Sequence, residues 1–398
     1  MPEMADVFRR DGGEYLERCR QDLLPSHRRA MDDLFHGRTE AFGGHLWPCD
    51  HCGQAHYVDH SCRNRRGPTC HHLDTEAWLA ERRQDLLSVP YVHVVLTLPQ
   101  ELRALVRSNQ KDLYDILLRA AAPALITLAA DPHDVGGLIG VLGVLHTWTR
   151  ALVYHPHVHG LVPAGGVSAD RSEWRPARQT SLVPVRALSM LFRGRFRDLV
   201  RQARPDLAIP ASVWTTAWVV SCQPALYGTE QVLRYVGRSV HRIALTHSRM
   251  LSIENGPVCF RDQDARHRGW KPMTLPALEC IRRLLPHVLP EGFHQGRYYG
   301  LGSPVHRPLL HQLQRCLAHL DPTPSPKSPA PATGPDNPWC VPLRAGHTCP
   351  RCGHGLLVCI RSLPPLQRGP PCGPRLPPSL PPVSASPYHG LSAVAPRP

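Results

Sequence analysis

The sequence lacks several features that would assign it to common classes of protein. No run of about 18 or more apolar residues occurs, so no membrane-spanning helix is predicted. Residues 1–20 are charged and lack the apolar core of a secretion signal, which favours a cytoplasmic protein. A Walker-type glycine-rich loop is not evident, and neither is an acidic cluster suited to two-metal hydrolysis. These absences argue against an ATP site and against an active centre built on a carboxylate triad.

Acidic side chains are scarce relative to basic ones. Lys and Arg number 46 against 32 Asp and Glu, which gives a formal net charge of +14, and Arg greatly outnumbers Lys. Because neutralising phosphates supplies most of the sequence-independent affinity for nucleic acid, this excess favours such a partner. The 14 cysteines accompany no secretion signal, so we expect thiols and metal ligands rather than disulfides.

Two histidines flank one apolar residue in the segment YHPHVHGLVPAGGV, from Tyr154 to Val167. Side chains two apart in a strand share a face, so His157 and His159 are predicted to face a cleft while Val158 faces the core. Such a pair offers two nitrogen ligands to one divalent ion. The alternative is an ordinary strand with solvated or core histidines. The glycines at 165 and 166 are expected to end the strand and to admit another backbone, nucleic acid included.

A segment rich in Cys and His, at residues 45–72, predicts structural zinc. Cys49 and Cys52 have the spacing of a metal-binding knuckle, and Cys62 and Cys70 would complete a tetrahedral site of four thiolates. The spare candidate ligands of this segment are His56, His60, His71 and His72. Arginines lie among the cysteines, so we expect the loop to present cations to phosphate, with the candidate DNA contacts Arg63 and Arg65.

A second knuckle follows a proline-rich stretch near the end of the sequence. Residues 321–338 predict an extended linker, and Cys349 and Cys352 then repeat the zinc spacing. No obvious partner knuckle accompanies them. The residues that would have to complete this possible zinc site are Cys340, His347, Cys359 and Cys372. The remainder, after residue 360, is rich in Pro and Arg and is predicted to be disordered.

Two further segments contain candidate functional residues. Residues 231–242 predict a helix that contains Tyr235, and a hairpin signalled by Asn255 and Gly256 follows it. A basic aromatic loop at residues 293–303 contains Arg297 and Tyr298, which would pair with phosphates and stack on bases. The alternative for this loop is a pair of core aromatic residues.

The order of these motifs resembles one known family. An N-terminal cysteine-rich module precedes YVHVVLTLP, HTW with YHPHVHGLVPAGG, RYVGRSVHRIAL and RYYG. This set is similar to the transposases of rolling-circle insertion sequences, which belong to the HUH endonuclease superfamily. The resemblance covers about residues 15–320 and continues weakly to the knuckle at 349–352. It implies an α+β fold in which an HUH-type antiparallel sheet is flanked by helices, with a small N-terminal zinc-binding module and a Pro-rich C-terminal tail.

The resemblance also implies roles for individual residues. His157 and His159 match the metal-binding pair, and Tyr235 matches the first nucleophilic tyrosine. The family's Tyr-x-x-x-Tyr pattern would place a second tyrosine at position 239, where this chain has Ser239. The competing candidates for a third metal ligand are His241, which we favour, and His155, His146 and His93. Arg238 and Arg242 are expected to contact DNA.

The zinc module departs from the family where a His-Cys-Pro-x-Cys knuckle is replaced by Arg66-Gly67-Pro68-Thr69-Cys70. The predicted domains are 1–90 for the helical and zinc-binding DNA-binding module, 91–320 for the HUH domain, and 321–398 for the linker, knuckle and tail.

The resemblance predicts a function. The implied enzyme nicks and rejoins single-stranded DNA at the ends of a mobile element through a 5′-phosphotyrosine. Its implied cofactors are Mn²⁺ or Mg²⁺ at the active site and structural Zn²⁺. Its expected location is the bacterial cytoplasm, on the nucleoid when bound to DNA, and its oligomeric state is open. The alternative is a catalytically decayed, zinc-containing DNA-binding protein derived from such a transposase.

Overall fold

The computed structural model describes residues 2–37, 39–60, 81, 83–178, 182–226, 244–253, 256–263, 269–320 and 348–365. These residues fall into two compact units. The first unit is drawn from Met1–Gly37 and Ser61–Leu343, and the second is drawn from Arg38–His60 and Arg344–Pro398.

The elements are numbered here in chain order. The helices are α1 Met4–Cys19, α2 Pro25–His36, α3 Arg103–Ser108, α4 Gln110–Ala129, α5 Val185–Ala203, α6 Ser212–Thr215, α7 Ala277–Leu284 and α8 Arg307–Leu320. The strands are β1 Gly44–Pro48, β2 Ala55–Asp59, β3 Tyr91–Thr97, β4 Gly140–Trp148, β5 Tyr154–Pro163, β6 Gly165–Val167, β7 Trp174–Pro176, β8 Val220–Leu226, β9 Met250–Ser252, β10 Pro257–Gln263, β11 Trp270–Pro276, β12 Gly296–Gly300 and β13 Arg361–Leu363.

The first unit is built on a five-stranded antiparallel sheet with the order β12-β4-β5-β3-β8. The helices α4 and α5 supply apolar side chains to a core that also takes every second residue of the central strands, such as Val94 and Val158. Alternation along a strand places one set of side chains in this core and the other set on the opposite face. The predicted α+β class, an antiparallel sheet flanked by helices, is confirmed.

The N-terminal helices belong to the first unit. Val7 and Phe8 of α1 are buried in a second core with Phe260 of β10 and Ile281 of α7. The predicted division of the chain places a boundary at residue 90. That boundary stays a prediction. The apolar side of α1 packs against elements between residues 244 and 288.

The second unit contains a three-stranded antiparallel sheet with the order β13-β1-β2. Gly44, His45 and Leu46 of β1 pair with residues 363, 362 and 361 of β13, and the other edge of β1 pairs along its full length with β2. A strand near the end of the sequence therefore completes a sheet begun by residues 44–59.

Two glycines that follow strand β5 lie close to other parts of the protein backbone. Gly165 and Gly166 lie in β6, which pairs with β7. A Cβ added at Gly165 would lie 2.6 Å from the carbonyl oxygen of Arg175, and one added at Gly166 would lie 2.9 Å from that of Leu138. The prediction of a close backbone approach is therefore correct. The approaching backbone at these two glycines is protein rather than nucleic acid.

Replacing Gly300 by Ala is expected to lower the free energy of unfolding by about 1–3 kcal/mol. Gly300 ends β12 with a φ of 58°, and an added Cβ would clash with the carbonyl oxygen of Ile139. Gly269→Ala is the matched control, since nothing lies within 4 Å of a Cβ there. Urea unfolding of both variants tests this. Equal stability of the two variants would contradict the strain assigned to Gly300.

Candidate metal and DNA-processing centre

The strand β5 carries the histidine pair on the face of the sheet opposite the α4 and α5 core. Val158 is 2% exposed and lies in that core, whereas His157 and His159 are half-buried. The register of the β4–β5 pair then places His146 directly opposite His157. Three imidazoles from two neighbouring strands therefore share one face of the sheet.

The three imidazoles converge closely enough to bind one ion. Their ligand atoms all lie within 4.8 Å of one another, and His146 is buried. Nε2 of His157 lies 3.1 Å from Nε2 of His159. Neighbouring ligands of an octahedral ion with bonds of about 2.1 Å would be about 3.0 Å apart, so the pair fits such an ion.

The tautomer of His157 is fixed by its own strand. Its Nδ1 lies 2.6 Å from the carbonyl oxygen of His155 and must donate to it, because a carbonyl only accepts. That leaves the lone pair of Nε2 directed toward the other two imidazoles. A backbone acceptor behind a ligand is a common way to orient a metal-binding histidine.

His93 of β3 supports the second member of the pair. Its Nε2 lies 2.8 Å from Nδ1 of His159. Burial lowers the pKa of His93 to about 4, so His93 is neutral near pH 7 and is able to accept a proton donated by Nδ1 of His159. His159 would then direct its Nε2 lone pair toward His157, and His93 acts as a positioning residue.

Replacing His93 by Ala is expected to weaken divalent-ion binding by about 10–100-fold, the usual effect of removing a hydrogen-bond partner from a metal-binding histidine. His93→Gln retains an acceptor and should recover part of the loss. Titration of Mn²⁺ followed by paramagnetic resonance measures both. An unchanged affinity in His93→Ala would show that His159 needs no such support.

The described candidates for the third metal ligand have different positions relative to the histidine pair. His146 is brought beside the pair, whereas His93 contacts His159 from behind. His155 accepts a hydrogen bond from Nη2 of Arg103 at 2.7 Å, and burial, with the charge of Arg103, lowers its pKa. The favoured candidate, His241, lies outside the described residues.

The predicted nucleophile and several predicted DNA contacts also lie outside the described residues. They are Tyr235, Arg238, Ser239 and Arg242 near the predicted helix, and Arg63 and Arg65 of the cysteine-rich segment. Their roles stay predictions.

Arg297 and Tyr298 lie on β12 with different surroundings. Nη1 of Arg297 lies 2.5 Å from Oδ1 of Asp115 on α4, and its guanidinium stands 5.2 Å from the centre of the Phe293 ring. Tyr298 is half-buried and pairs in register with Leu142. These contacts engage Arg297 within the protein. A DNA contact by either residue stays a prediction.

The second unit brings together cysteines from both knuckles. The sulfurs of Cys49, Cys52, Cys349 and Cys352 all lie within 4.8 Å of one another. Backbone N–H groups of Gly355 and His354 lower the pKa of Cys352 to about 6, which favours its thiolate.

The sequence predicted other cysteines as partners for the two knuckles, and of these only Cys359 lies among the described residues. Cys359, one candidate to complete the second knuckle, is exposed and lies 3.8 Å from Nδ1 of His45 instead. The other candidates for that role, Cys340, His347 and Cys372, lie outside the described residues, as do Cys62 and Cys70 of the first knuckle. The spacing of the cysteines did not predict that the two knuckles lie together, because spacing identifies only ligands that are close in sequence.

Comparisons with known proteins identify the class. A family model described as "Putative transposase" matches residues 140–308, and one described as "Transposase zinc-binding domain" matches residues 7–98. "Putative transposase y4qJ" of Sinorhizobium fredii is 40% identical over 379 residues, which cover 90% of this chain and 95% of that protein. The chain therefore belongs to a family of transposases.

A second relative narrows the family. "Transposase for insertion sequence element IS801" of Pseudomonas savastanoi pv. phaseolicola is 28% identical over 295 residues, which cover 69% of this chain and 70% of the relative. The chain belongs to the transposases of rolling-circle insertion sequences, as its motifs predicted.

One solved structure matches at a low level. It is "Conjugative Relaxase TrwC in complex with OriT Dna. Metal-free structure.", with 12% sequence identity and a TM-score of 0.24, covering 57% of this chain and 71% of that chain. A similarity of this size supports no inference.

Among the described residues, no helix is both long enough and apolar enough to cross a membrane.

Proposed function

We propose that this transposase nicks and rejoins single-stranded DNA at the ends of its mobile element through a 5′-phosphotyrosine on Tyr235. The observation that carries the proposal is the convergence of His146, His157 and His159 on one face of the central sheet. Among the described residues this cluster holds three histidines and no carboxylate, which fits a transferase that positions one phosphate better than a two-metal hydrolase.

The three imidazoles would hold a divalent ion, which when bound would neutralise charge on the scissile phosphate. Nitrogen ligands favour Mn²⁺ over Mg²⁺, which prefers oxygen. His155 and His93 keep the imidazoles of the pair in the ligand orientation from behind. Arg103, whose guanidinium is held by His155, brings a positive charge beside the site and suits contact with a DNA phosphate.

In the proposed step one bond to phosphorus forms as another breaks, so no outside energy source is needed. The phenol oxygen of Tyr235 forms a bond to phosphorus and loses its proton, while the bond from phosphorus to the 3′-oxygen breaks and that oxygen gains a proton. The phosphodiester energy is kept in the phosphotyrosine bond. A later 3′-hydroxyl then reverses the step and joins two strands. Since residue 239 is Ser, each chain contributes one nucleophile to this cycle.

Single-stranded oligonucleotides that carry the element's end test the proposal. The protein is incubated with them and Mn²⁺, and the products are separated on a denaturing gel. We expect a covalent protein–DNA band that requires the divalent ion. Binding of DNA by the folded protein without an adduct, with any divalent ion, would favour a catalytically decayed DNA-binding protein. Because the substrate is DNA, we expect action in the cytoplasm, on the nucleoid.

A further inference from the structure

The cysteine cluster of the second unit joins parts of the chain that are far apart in sequence. We propose that Cys49, Cys52, Cys349 and Cys352 together bind one structural zinc ion, so that the C-terminal knuckle supplies half of the site. The family model for the zinc-binding domain covers residues 7–98 and contains only two of these four cysteines.

The sulfur separations have the size that zinc requires. Cys49 Sγ lies 3.7 Å from Cys352 Sγ, and Cys52 Sγ lies 3.8 Å from Cys349 Sγ. A tetrahedral ion with Zn–S bonds of about 2.3 Å has sulfurs about 3.8 Å apart. A disulfide would need a sulfur separation of about 2.0 Å, so these pairs are not bridged.

The two knuckles have the same backbone geometry. The N–H of Gly53 donates to the carbonyl of Cys49 at 3.0 Å, and the N–H of Gly353 donates to that of Cys349 at 2.9 Å. Both glycines have positive φ, 67° and 71°, as such a tight turn requires. Each turn therefore directs its two thiols to one side.

Backbone N–H groups also point at the sulfurs. His51 and Cys52 direct their N–H groups to Cys49 Sγ at 3.4 Å, and Gly355 directs its own to Cys352 Sγ at 3.4 Å. Such donors offset the negative charge of thiolate ligands. The cluster therefore has outer support of the kind that metal sites use.

The sheet of the second unit holds the knuckles together. The N–H groups of Val358 and Ile360 donate to the carbonyls of Pro48 and Leu46, each at 3.1 Å, and β13 continues this pairing along β1. Gly355 lies so close to Cys49 that an added Cβ would clash with its Sγ. Four thiolates complete a structural zinc site, so Cys62 and Cys70 are not needed as its ligands.

Thiol protection in the unmodified full-length protein tests the proposal. Cys52 is exposed and Cys352 is half-buried, so in the zinc-loaded protein their protection from iodoacetamide requires the metal. We expect both to resist alkylation with zinc and to become reactive together when a chelator removes it. The exposed thiols of Cys316 and Cys359 serve as controls and should react throughout. Alkylation of Cys352 at the rate of Cys359 in the zinc-loaded protein would overturn the proposal.

Metal content of variants provides the second test. Cys349→Ser and Cys352→Ser should each lose one zinc per chain by elemental analysis, whereas Cys359→Ser should keep the full content. In Co²⁺-substituted protein, Cys352→His keeps a ligand and should shift the thiolate charge-transfer band. If the serine variants keep all of their zinc and Cys352→His leaves that band unchanged, the ion is bound by N-terminal ligands alone and the proposal fails.

Gly355→Ala keeps all four thiols and tests their approach. The added methyl group would separate the C-terminal knuckle from Cys49, so zinc should dissociate faster in a chelator competition assay. Gly13→Ala is the control, because nothing lies within 4 Å of a Cβ there. Equal zinc release from both variants would mean that Gly355 does not approach a zinc-bound Cys49, which would contradict the shared site.

Discussion

Replacing His146 by Ala is expected to remove metal-dependent DNA cleavage and to weaken Mn²⁺ binding by more than about 100-fold, beyond the loss expected for a supporting residue. His146 is 4% exposed and stacks on Trp148 with ring centres 4.9 Å apart. Its imidazole is therefore held in place beside His157 and His159 before any ion arrives. Without it, two half-buried imidazoles remain, and they are a poor match for an ion that favours six ligands.

A matched set of variants separates this effect from misfolding. His294 is exposed, so His294→Ala should bind Mn²⁺ and cleave DNA as the unmodified protein does. His146→Asn fills more of the buried space than Ala and should fail in the same way, with a normal unfolding midpoint in metal-free buffer. If His146→Ala binds Mn²⁺ normally and His241→Ala does not, the third ligand is His241.

Replacing Tyr235 by Phe is expected to reduce the covalent adduct below detection while DNA binding is retained. The change removes one oxygen, which is the atom proposed to attack phosphorus, and keeps the aromatic ring. Gel-shift and adduct assays on the same preparation measure the two properties separately. Ser239→Ala is the control and should form the adduct at the normal rate. Loss of the adduct in Ser239→Ala with its survival in Tyr235→Phe would reverse the assignment.

The sequence was enough to place His157 and His159 on one face of a strand, but it did not place His146 beside them. Alternation along a strand is local, so His157 and His159 could be placed on one face from the pattern alone. The position of His146 depends on the register of a hairpin. That register is set by a turn in which the N–H of Thr149 donates a hydrogen bond to the carbonyl of Val153 at 2.9 Å. Leu152 adopts a φ of 60° in the same turn. A leucine at positive φ is not signalled by the usual turn residues, Gly, Asn and Asp.

For the cysteine cluster too, the sequence predicted the local motif but not the long-range contact. The two-residue spacing within each knuckle is readable from sequence, and both knuckles were found in this way. Which knuckles meet is decided by the pairing of β13 with β1, about 300 residues away, through backbone hydrogen bonds that carry no residue-type signal. The sequence offered nearer cysteines as partners, and local proximity favoured them.

The surroundings of Arg297 could not be predicted from charge alone. The sequence predicted a basic aromatic loop whose arginine would pair with phosphates. In the fold the segment is the edge strand β12, whose alternation turns Arg297 toward Asp115 and Phe293. An arginine that pairs with a carboxylate of its own chain has fewer donors left for phosphate, and a DNA contact by Arg297 stays a prediction.

Locating the covalent bond between protein and DNA tests the proposed phosphotyrosine chemistry. The protein is reacted with a labelled single-stranded end and Mn²⁺, digested with trypsin and nuclease, and analysed by tandem mass spectrometry. We expect a nucleotide attached through phosphate to Tyr235, in the peptide that runs from Tyr235 to Arg238. A nucleotide found on another residue, or cleaved DNA with no adduct on any peptide, would contradict it.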